Sequence, residues 1–203
     1  WGGRTLFAGG KLNPTSCWGR MTLLSLFFFA CGFTRAFHNS RIFNREAMGN
    51  WQRDTVRSVD VVTGCFFLIE RSLWQRLGGF DPTYFMYGEE ADLCLRAHKL
   101  GAKPIICPEA QIIHYGSASD PLSSEKRIKV YAGKVTIMRT HWSYLGAKVG
   151  TWLLLLACLN RYIGFTIVGH IRGQQSTIQK GRDWRDTFRQ RERWTRGYEK
   201  RSL

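Results

Sequence analysis

The sequence predicts an α/β domain that is followed by an apolar helical segment and a basic C-terminal region. Three observations carry this prediction: a strand–helix–strand pattern between residues 57 and 119, a long apolar stretch after residue 143, and a basic surplus that leans toward the C-terminus. With 203 residues, the chain is long enough for one domain with a hydrophobic core and an appendage. We therefore divide it into residues 1–142, 143–170 and 171–203.

The first predicted helix covers the apolar run Leu23–Ala30, which follows glycine-rich turns near the N-terminus. This run is too short to cross a bilayer, so we expect a helix that packs on a domain or lies at an interface. Arginines then alternate with phenylalanines between residues 35 and 45. This stretch is either a solvated surface with aromatic anchors or a contact for phosphorylated substrates or lipid headgroups.

The central region carries the clearest periodicity. Val59–Ile69 is rich in Val, Phe and Ile and predicts a strand, in which Gly64 marks a point of close approach to the backbone. Arg71–Leu77 predicts a short helix that a Gly-Gly pair ends. Glu89–Leu100 predicts a second helix, since its apolar residues recur at helical spacing and acids open it.

The strand–helix–strand unit is completed by two predicted short strands, Lys103–Cys107 and Gln111–His114, on either side of Pro108. A further helix is predicted over Ser123–Trp142. The six cysteines show no Cys-x-x-Cys spacing, which predicts reduced thiols rather than disulfides or a zinc site.

The apolar segment Thr151–Gly169 is nearly long enough to span a bilayer, but Arg161 lies near its middle. An interfacial or re-entrant helix, a true span and a soluble packing helix all remain open. The net charge of +15 predicts an anionic partner. Because the basic surplus follows the most apolar stretch, we expect an anionic membrane surface and no nucleic acid.

Three carboxylates stand at the predicted start of the second central helix. Glu89 and Asp92 share a face, whereas Glu90 points about 100° away from Glu89. Arg96 can pair with Asp92, which would hold that acid structurally and leave a glutamate free to act. The helix N-terminus favours the ionised acids and like-charge crowding disfavours them, a combination that suits a general base but also ordinary capping.

The segment from Val59 to Ser119 contains, in order, Gly-Gly-Phe-Asp, an aromatic pair, Glu-Glu-x-Asp-Leu-x-x-Arg, Pro-x-Ala and a histidine. This ordered set resembles the C-terminal half of family 2 glycosyltransferases of the rhamnosyltransferase-like kind. The upstream stretches GGKLNP, SRIF and MGNW also lie where that family places similar segments. The resemblance covers roughly Thr5–Trp142, and its specificity lies in the order of the pieces.

The resemblance implies a partial GT-A fold, which is a Rossmann-like fold for nucleotide-diphospho-sugars, and an inverting transfer. A divalent cation, Mg or Mn, would steady the departing diphosphate. The family's base is usually the second acid of a Glu-Asp pair, which corresponds to Glu90. Here a glutamate replaces the aspartate, and its extra methylene leaves the base open between Glu90 and Glu89. We favour Glu90 and keep Asp92 as a third catalytic candidate.

The resemblance also points to residues around these acids. His114 corresponds to a histidine that can bind the metal or the diphosphate, although it could equally be a lone satisfied histidine. Three aromatic residues could stack on a sugar ring or pack in the core. Asp81 either bonds an acceptor hydroxyl or caps the turn at Pro82. The candidate substrate-binding residues are Asp81, Tyr84, Phe85, Tyr87, Gly64 and Arg96.

We therefore expect the C-terminal part of an inverting glycosyltransferase that moves a sugar, such as rhamnose, from a nucleotide-diphospho-sugar to a lipid-linked or polysaccharide acceptor. It would act in cell-envelope glycan synthesis at the cytoplasmic face of the membrane, bound peripherally or by its C-terminal segment. The sequence contains no Asp-x-Asp, a motif that the family places upstream of these segments. We expect a fragment that lacks the nucleotide-binding half and is inactive alone. A non-catalytic basic module that binds membrane or nucleic acid, or an inactive remnant, are the alternatives.

Overall fold

The computed structural model describes residues 1–115 and 124–199, and within these ranges it shows a mixed α/β architecture. A short 3-10 turn covers Pro14–Ser16. The strands are β1 (Gly2–Leu6), β2 (Cys17–Trp18), β3 (Arg57–Ser58), β4 (Val61–Val62) and β5 (Ile105–Ile113). The helices are α1 (Leu23–Ala30), α2 (Phe33–Ala36), α3 (Arg71–Leu77), α4 (Glu89–Lys99), α5 (Ser124–His141), α6 (Tyr144–Ile171), α7 (Gln175–Arg189) and α8 (Glu192–Thr195).

The longest strand, β5, forms the centre of a three-stranded sheet in the order β1-β5-β3. It pairs in parallel with β1 and antiparallel with β3. The sequence predicted two strands here, and that prediction was wrong. The register shifts between Gly3, opposite Cys107, and Arg4, opposite Gln111, so that Pro108 falls in an irregularity of one continuous strand. Proline lacks an N–H for the ladder, and a bulge accommodates it without ending the strand.

The single long strand predicted over Val59–Ile69 is also wrong, because strand pairing there is limited to Val61–Val62 and an isolated bridge from Phe67 to Gly2. Only β4 forms there, and it pairs antiparallel with β2. The backbone N–H of Thr63 donates to Ser16 O at 3.0 Å, after which the chain turns. The N–H of Leu68 then donates to the carbonyl of Trp1 at 2.7 Å, so this apolar stretch packs beside β1 instead of extending a ladder.

The predictions of α3, α4 and α5 are confirmed to within about one residue at the ends that the structure describes, whereas α6 begins at Tyr144, well before the predicted segment Thr151–Gly169. Helix α1 begins with a capping box between Thr22 and Ser25, which satisfies its first backbone donors. Helix α3 ends at Gly78, whose φ of 70° suits a residue without a side chain. Helix α5 confirms the prediction over Ser123–Trp142, although Ser123 itself lies outside the described residues.

Two hydrophobic clusters hold these elements together. The smaller one lies under the strands and includes Cys17, Val61 and Ile106. The larger one joins α1, α5, α6 and α8, with Met138 and Trp194 fully buried. The indole N–H of Trp194 donates to Thr187 O at 3.0 Å. The C-terminal region, which the sequence characterises only by its charge, therefore folds back as α7 and α8 onto the helical layer.

One close approach fixes α5 against the start of α4. A Cβ atom built on Gly133 would overlap the carbonyl oxygen of Tyr87, and Gly88 lies next to the same point. Tyr87 itself has a φ of 67° and Gly88 a φ of 108°, so the chain makes a sharp turn where α5 passes. The two helices that bound the site described below are thus in backbone contact.

Replacing Gly133 by alanine should lower the free energy of unfolding by about 1–3 kcal/mol, because the added methyl has no space beside Tyr87. Gly164 is the matched control. It lies within α6 with no neighbouring atom within 4 Å of its would-be Cβ, so alanine there should raise stability by up to about 1 kcal/mol. Urea unfolding followed by circular dichroism checks both. Equal changes of one sign would contradict the close contact.

Candidate active site

A cleft of about 710 Å³ lies between the β2–β4 pair and the facing sides of α4 and α5. The end of β5 also reaches it. Three of the predicted site residues line this cleft: Tyr87, Glu90 and His114. The start of α4 therefore faces an open space, as a role in catalysis requires.

The lining of the cleft is mostly basic where it is charged. Four Lys and Arg side chains stand against two glutamates, of which Glu46 pairs with Lys134, and this positive excess favours phosphate groups. Sequence reasoning missed most of these residues. The signal was present in α5, because residues 126, 130, 134, 137 and 141 repeat at three- and four-residue spacing and so share one helix face. The charged residues of the lining are Arg20, Lys99, Lys126, Lys134, His98, His114, His141, Glu46 and Glu90.

Glu90 is the half-buried acid of the cleft. Burial is the main cause that raises the pKa of its carboxyl group, and the charge of Glu89 adds to it, while backbone amides at Gly88 and Glu90 partly offset both. Its Oε2 atom is buried, and within residues 1–115 and 124–199 no donor reaches it. Gly64 lies alongside, since a Cβ there would be 3.6 Å from the Cβ of Glu90. Glu90 therefore has a free acceptor oxygen and a raised proton affinity.

Asp92, two residues further on, is fully buried and paired on both sides. Its carboxylate accepts from Arg96 Nε and from His141 Nε2, both at 2.7 Å. Burial alone would raise the pKa of Asp92, but these hydrogen bonds and the charge of Arg96 outweigh it and hold the pKa below its ordinary value. The expected pairing of Arg96 with Asp92 is confirmed.

Arg96 also connects Asp92 to the end of α3. Its guanidinium donates to the carbonyls of Leu77 at 2.7 Å and Gly79 at 2.9 Å. Asp92 and Arg96 thereby tie α3, α4 and α5 together. Both side chains are engaged in the framework of the site, and neither lines the cleft. Their catalytic and substrate-binding roles stay predictions.

The remaining candidates are divided between the turn, the core and the surface. Asp81 accepts a hydrogen bond from the backbone N–H of Thr83 at 2.8 Å, so it caps the turn at Pro82, as one of the two expectations had it. Tyr84 is buried and packs against Gly88. Phe85 is 61% exposed. Of the three predicted aromatic residues, Tyr87 alone lines the cleft.

His114 marks the end of β5 in the cleft. Its backbone N–H donates to Leu6 O at 2.8 Å, and its carbonyl accepts from Asn13 Nδ2 at 3.1 Å, so its position is fixed by β1. Among the described residues, no three His, Cys, Asp or Glu side chains gather in an arrangement that could hold a metal ion. The residues present do not by themselves fit the expected divalent cation, and we derive no step through it.

The sequence profile of the family described as "Glycosyltransferase like family 2" matches residues 16–197, which is most of the chain. The chain belongs to glycosyltransferase family 2. Membership implies the GT-A fold and confirms the resemblance drawn from the ordered motifs. In its described residues this family 2 domain displays a small mixed sheet with flanking helices.

Two rhamnosyltransferases resemble this family 2 domain over shorter stretches. The N-acetylglucosaminyl-diphospho-decaprenol L-rhamnosyltransferase of Mycobacterium tuberculosis, in two strains, is 39% identical over 70 residues, or 33% of this chain and 23% of the relative. Rhamnosyltransferase WbbL of Escherichia coli K12 is 45% identical over 62 residues, or 30% of this chain and 23% of the relative. The matched part thus spans less than a quarter of these relatives. No solved structure matches the chain significantly.

Replacing Asp92 by asparagine should destabilise the fold by about 3 kcal/mol, because the buried end of Arg96 loses its counter-charge while keeping its carbonyl partners. Because the folded-state pKa of Asp92 is depressed, its contribution is present at neutral pH and is lost as pH falls below the ordinary aspartate value of 3.8. Thermal unfolding across pH measures both effects. Asp186→Asn, at an exposed ion pair, should cost less than about 1 kcal/mol. Equal losses would contradict the buried linkage.

Glu90→Gln should have the opposite effect on stability. The folded-state pKa of Glu90 is raised, so the folded state disfavours its ionised form. Ionisation of Glu90 therefore lowers the free energy of unfolding. This loss is absent below the ordinary pKa of 4.5 and grows as pH rises through the folded-state pKa. The variant should therefore melt at a higher temperature than the parent at neutral pH and at the same temperature near pH 4. Glu109→Gln, at an exposed position of β5, should change neither. A loss of stability in Glu90→Gln at neutral pH would show that the carboxylate is not desolvated.

Proposed function

We propose that this family 2 domain acts in the inverting transfer of a sugar, with rhamnose as the expected one, from a nucleotide-diphospho-sugar to a hydroxyl of a lipid-linked or polysaccharide acceptor. The observation that carries the proposal is the position of Glu90, a carboxylate of raised proton affinity with an unpartnered oxygen among the described residues, in a basic cleft. Family membership supplies the reaction class.

The proton step assigns a role to this acid. The acceptor oxygen forms a bond to the anomeric carbon as the bond between that carbon and the diphosphate oxygen breaks. The hydroxyl proton passes to the carboxylate of Glu90. Glu89 has a buried, unpartnered Oε2 as well, judged over the described chain, but it does not line the cleft. This difference favours Glu90 over Glu89 as the base, and Asp92 is held in ion pairs that make it a poor proton acceptor.

The basic lining supports an anionic substrate. Lys99 would offset the negative charge of a diphosphate, and Arg20 and Lys134, which also pair with Asp60 and Glu46, would add to it. His114 would contact the diphosphate from the end of β5. The ring of Tyr87 would stack on a sugar. The expected divalent cation, Mg or Mn, stays part of the proposal from family membership alone, since the described residues offer no ligand group for it.

The choice of rhamnose and of a lipid-linked acceptor comes from the names of the relatives. One is named for the transfer of L-rhamnose to N-acetylglucosaminyl-diphospho-decaprenol, and another is named a rhamnosyltransferase. Apolar side chains at the same cleft, Trp18, Met21 and Trp142, offer a surface that suits the start of a lipid chain. We place the reaction at the cytoplasmic face of the cell membrane, in cell-envelope glycan synthesis.

The protein expressed from its complete gene, incubated with nucleotide-diphospho-rhamnose and membrane lipid acceptors, tests this function. Glu90→Gln should lower kcat by at least about 100-fold, because a positioned general base contributes that much or more. Glu109→Gln should leave turnover unchanged, since Glu109 is exposed outside the cleft. Full turnover by Glu90→Gln together with loss in Glu89→Gln would move the base to Glu89, and loss in neither would refute a glutamate base.

A further inference from the structure

Helix α6 carries an uncovered apolar stripe. It is the one helix in the described chain that is long and apolar enough to cross a membrane by length and composition. A set of its exposed large side chains recurs at spacings of three, four or seven residues, which places the set on one face. We define the α6 stripe as Val149, Trp152, Leu159, Ile163, Ile167 and Ile171, all exposed.

The other faces of α6 are covered by protein on both sides of the stripe. On one side, Asn160 Nδ2 donates to the carbonyl of Ala30 at 3.2 Å, which places α1 alongside. On the other side, α7 packs so closely that side chains built on Gly169 or Gly181 would overlap the facing helix. Nothing in the described chain covers the stripe itself.

The uncovered apolar surface continues onto α1 and α2. Leu24, Phe27, Phe33 and Phe37 are exposed there. These phenylalanines form a cluster with Phe28 and Phe43, in which neighbouring ring centroids are 4.9–6.4 Å apart. Arg35 stacks on the ring of Phe165 with 4.9 Å to its centroid, so α2 is fastened to α6. The stripe and these side chains therefore belong to one helical layer.

The chain segments that carry this surface contain basic residues and no acidic ones. The sequence has no Asp or Glu in residues 1–45 or in residues 143–182. Exposed basic side chains lie in both segments: Arg35, Arg41, Arg45, Lys148, Arg172, Lys180 and Arg182. An apolar face with a basic, acid-free border fits anionic lipid headgroups above acyl chains. A second copy of this chain would bring like charges together, which disfavours it as the occupant.

The packing of α7 distinguishes an α6 that spans the membrane from an α6 that lies in the plane of the membrane interface. Thr166 faces Gly181, and Gly169 faces Ile178, so α7 runs back antiparallel along the C-terminal half of α6. A spanning α6 would carry Lys180, Arg182 and Asp183 to bilayer depth, where charges are costly. Arg161 does not decide the question, because its guanidinium donates to Phe29 O at 2.8 Å within the protein.

We propose that the α6 stripe and the exposed side chains of α1 and α2 form a monotopic surface that lies in the plane of a membrane interface and binds anionic phospholipid. This surface concerns attachment of the protein to the membrane alone. The proposal does not depend on the proposed sugar transfer.

Co-sedimentation of the 203-residue chain with lipid vesicles tests the surface. The chain should bind vesicles that contain one third phosphatidylglycerol, bind pure phosphatidylcholine weakly, and dissociate as sodium chloride is raised. Trp152→Glu should weaken binding by about tenfold or more, since it places a charge among the acyl chains. Val56→Glu is the matched control, because Val56 is 61% exposed against 60% for Trp152 and lies outside α1, α2 and α6. Circular dichroism verifies that both variants fold.

The orientation needs a second measurement. Alkaline carbonate should release the bound chain, whereas a spanning helix would stay with the vesicles. Resistance to carbonate, equal binding to both lipid compositions, or unchanged binding by Trp152→Glu would each overturn the proposal. A chain that ignores vesicles and forms a dimer which Trp152→Glu separates would show a self-interface instead. Glu90→Gln should bind vesicles like the parent, so that loss of transfer and loss of attachment are distinguishable.

Discussion

The arrangement of the site depends on one buried carboxylate. Asp92 has no access to water, and a charge in that position is tolerated only with full pairing. Arg96 and His141 supply the pairing, and Arg96 extends it to the end of α3. Because these partners come from different elements, satisfying one carboxylate fixes three helices at once. The start of α4, and Glu90 with it, takes its position from this node.

Asp92 and Glu90, two residues apart, have pKa values that are shifted in opposite directions. Asp92 is stabilised as an anion by its hydrogen bonds, while Glu90 is desolvated with an oxygen that no described donor reaches. Environments that push the pKa values of adjacent carboxyl groups apart are a common way to separate a structural acid from a reactive one. The left-handed backbone at Tyr87 and Gly88 belongs to the same arrangement, since it starts α4 at the point where α5 passes.

The sequence predicted the structural features that depend on local pattern, but it did not predict those that depend on contacts between distant residues. Helices α3 and α4 followed from local sequence pattern and from the glycines that come after them. The strand over Val59–Ile69 was overestimated because apolar composition does not reveal that hydrogen bonds from Thr63 and Leu68 go elsewhere. His141 was missed because its partner Asp92 lies 49 residues away, and only the fold brings them together. The basic face of α5 could have been found from its period.

The contact between α5 and α6 is tight enough to couple two parts of the molecule geometrically. A Cβ atom on Gly150 would overlap the sulfur of Met138, so the side chain of Met138 packs directly on the backbone of α6. The neighbouring face of α5 carries Lys134 and His141 into the cleft. With α6 resting on lipid, the cleft would stand at a constant height above the headgroups. The distance from the cleft to the lipid surface would then be fixed, and it would select acceptors by how far their reactive hydroxyl projects from the bilayer.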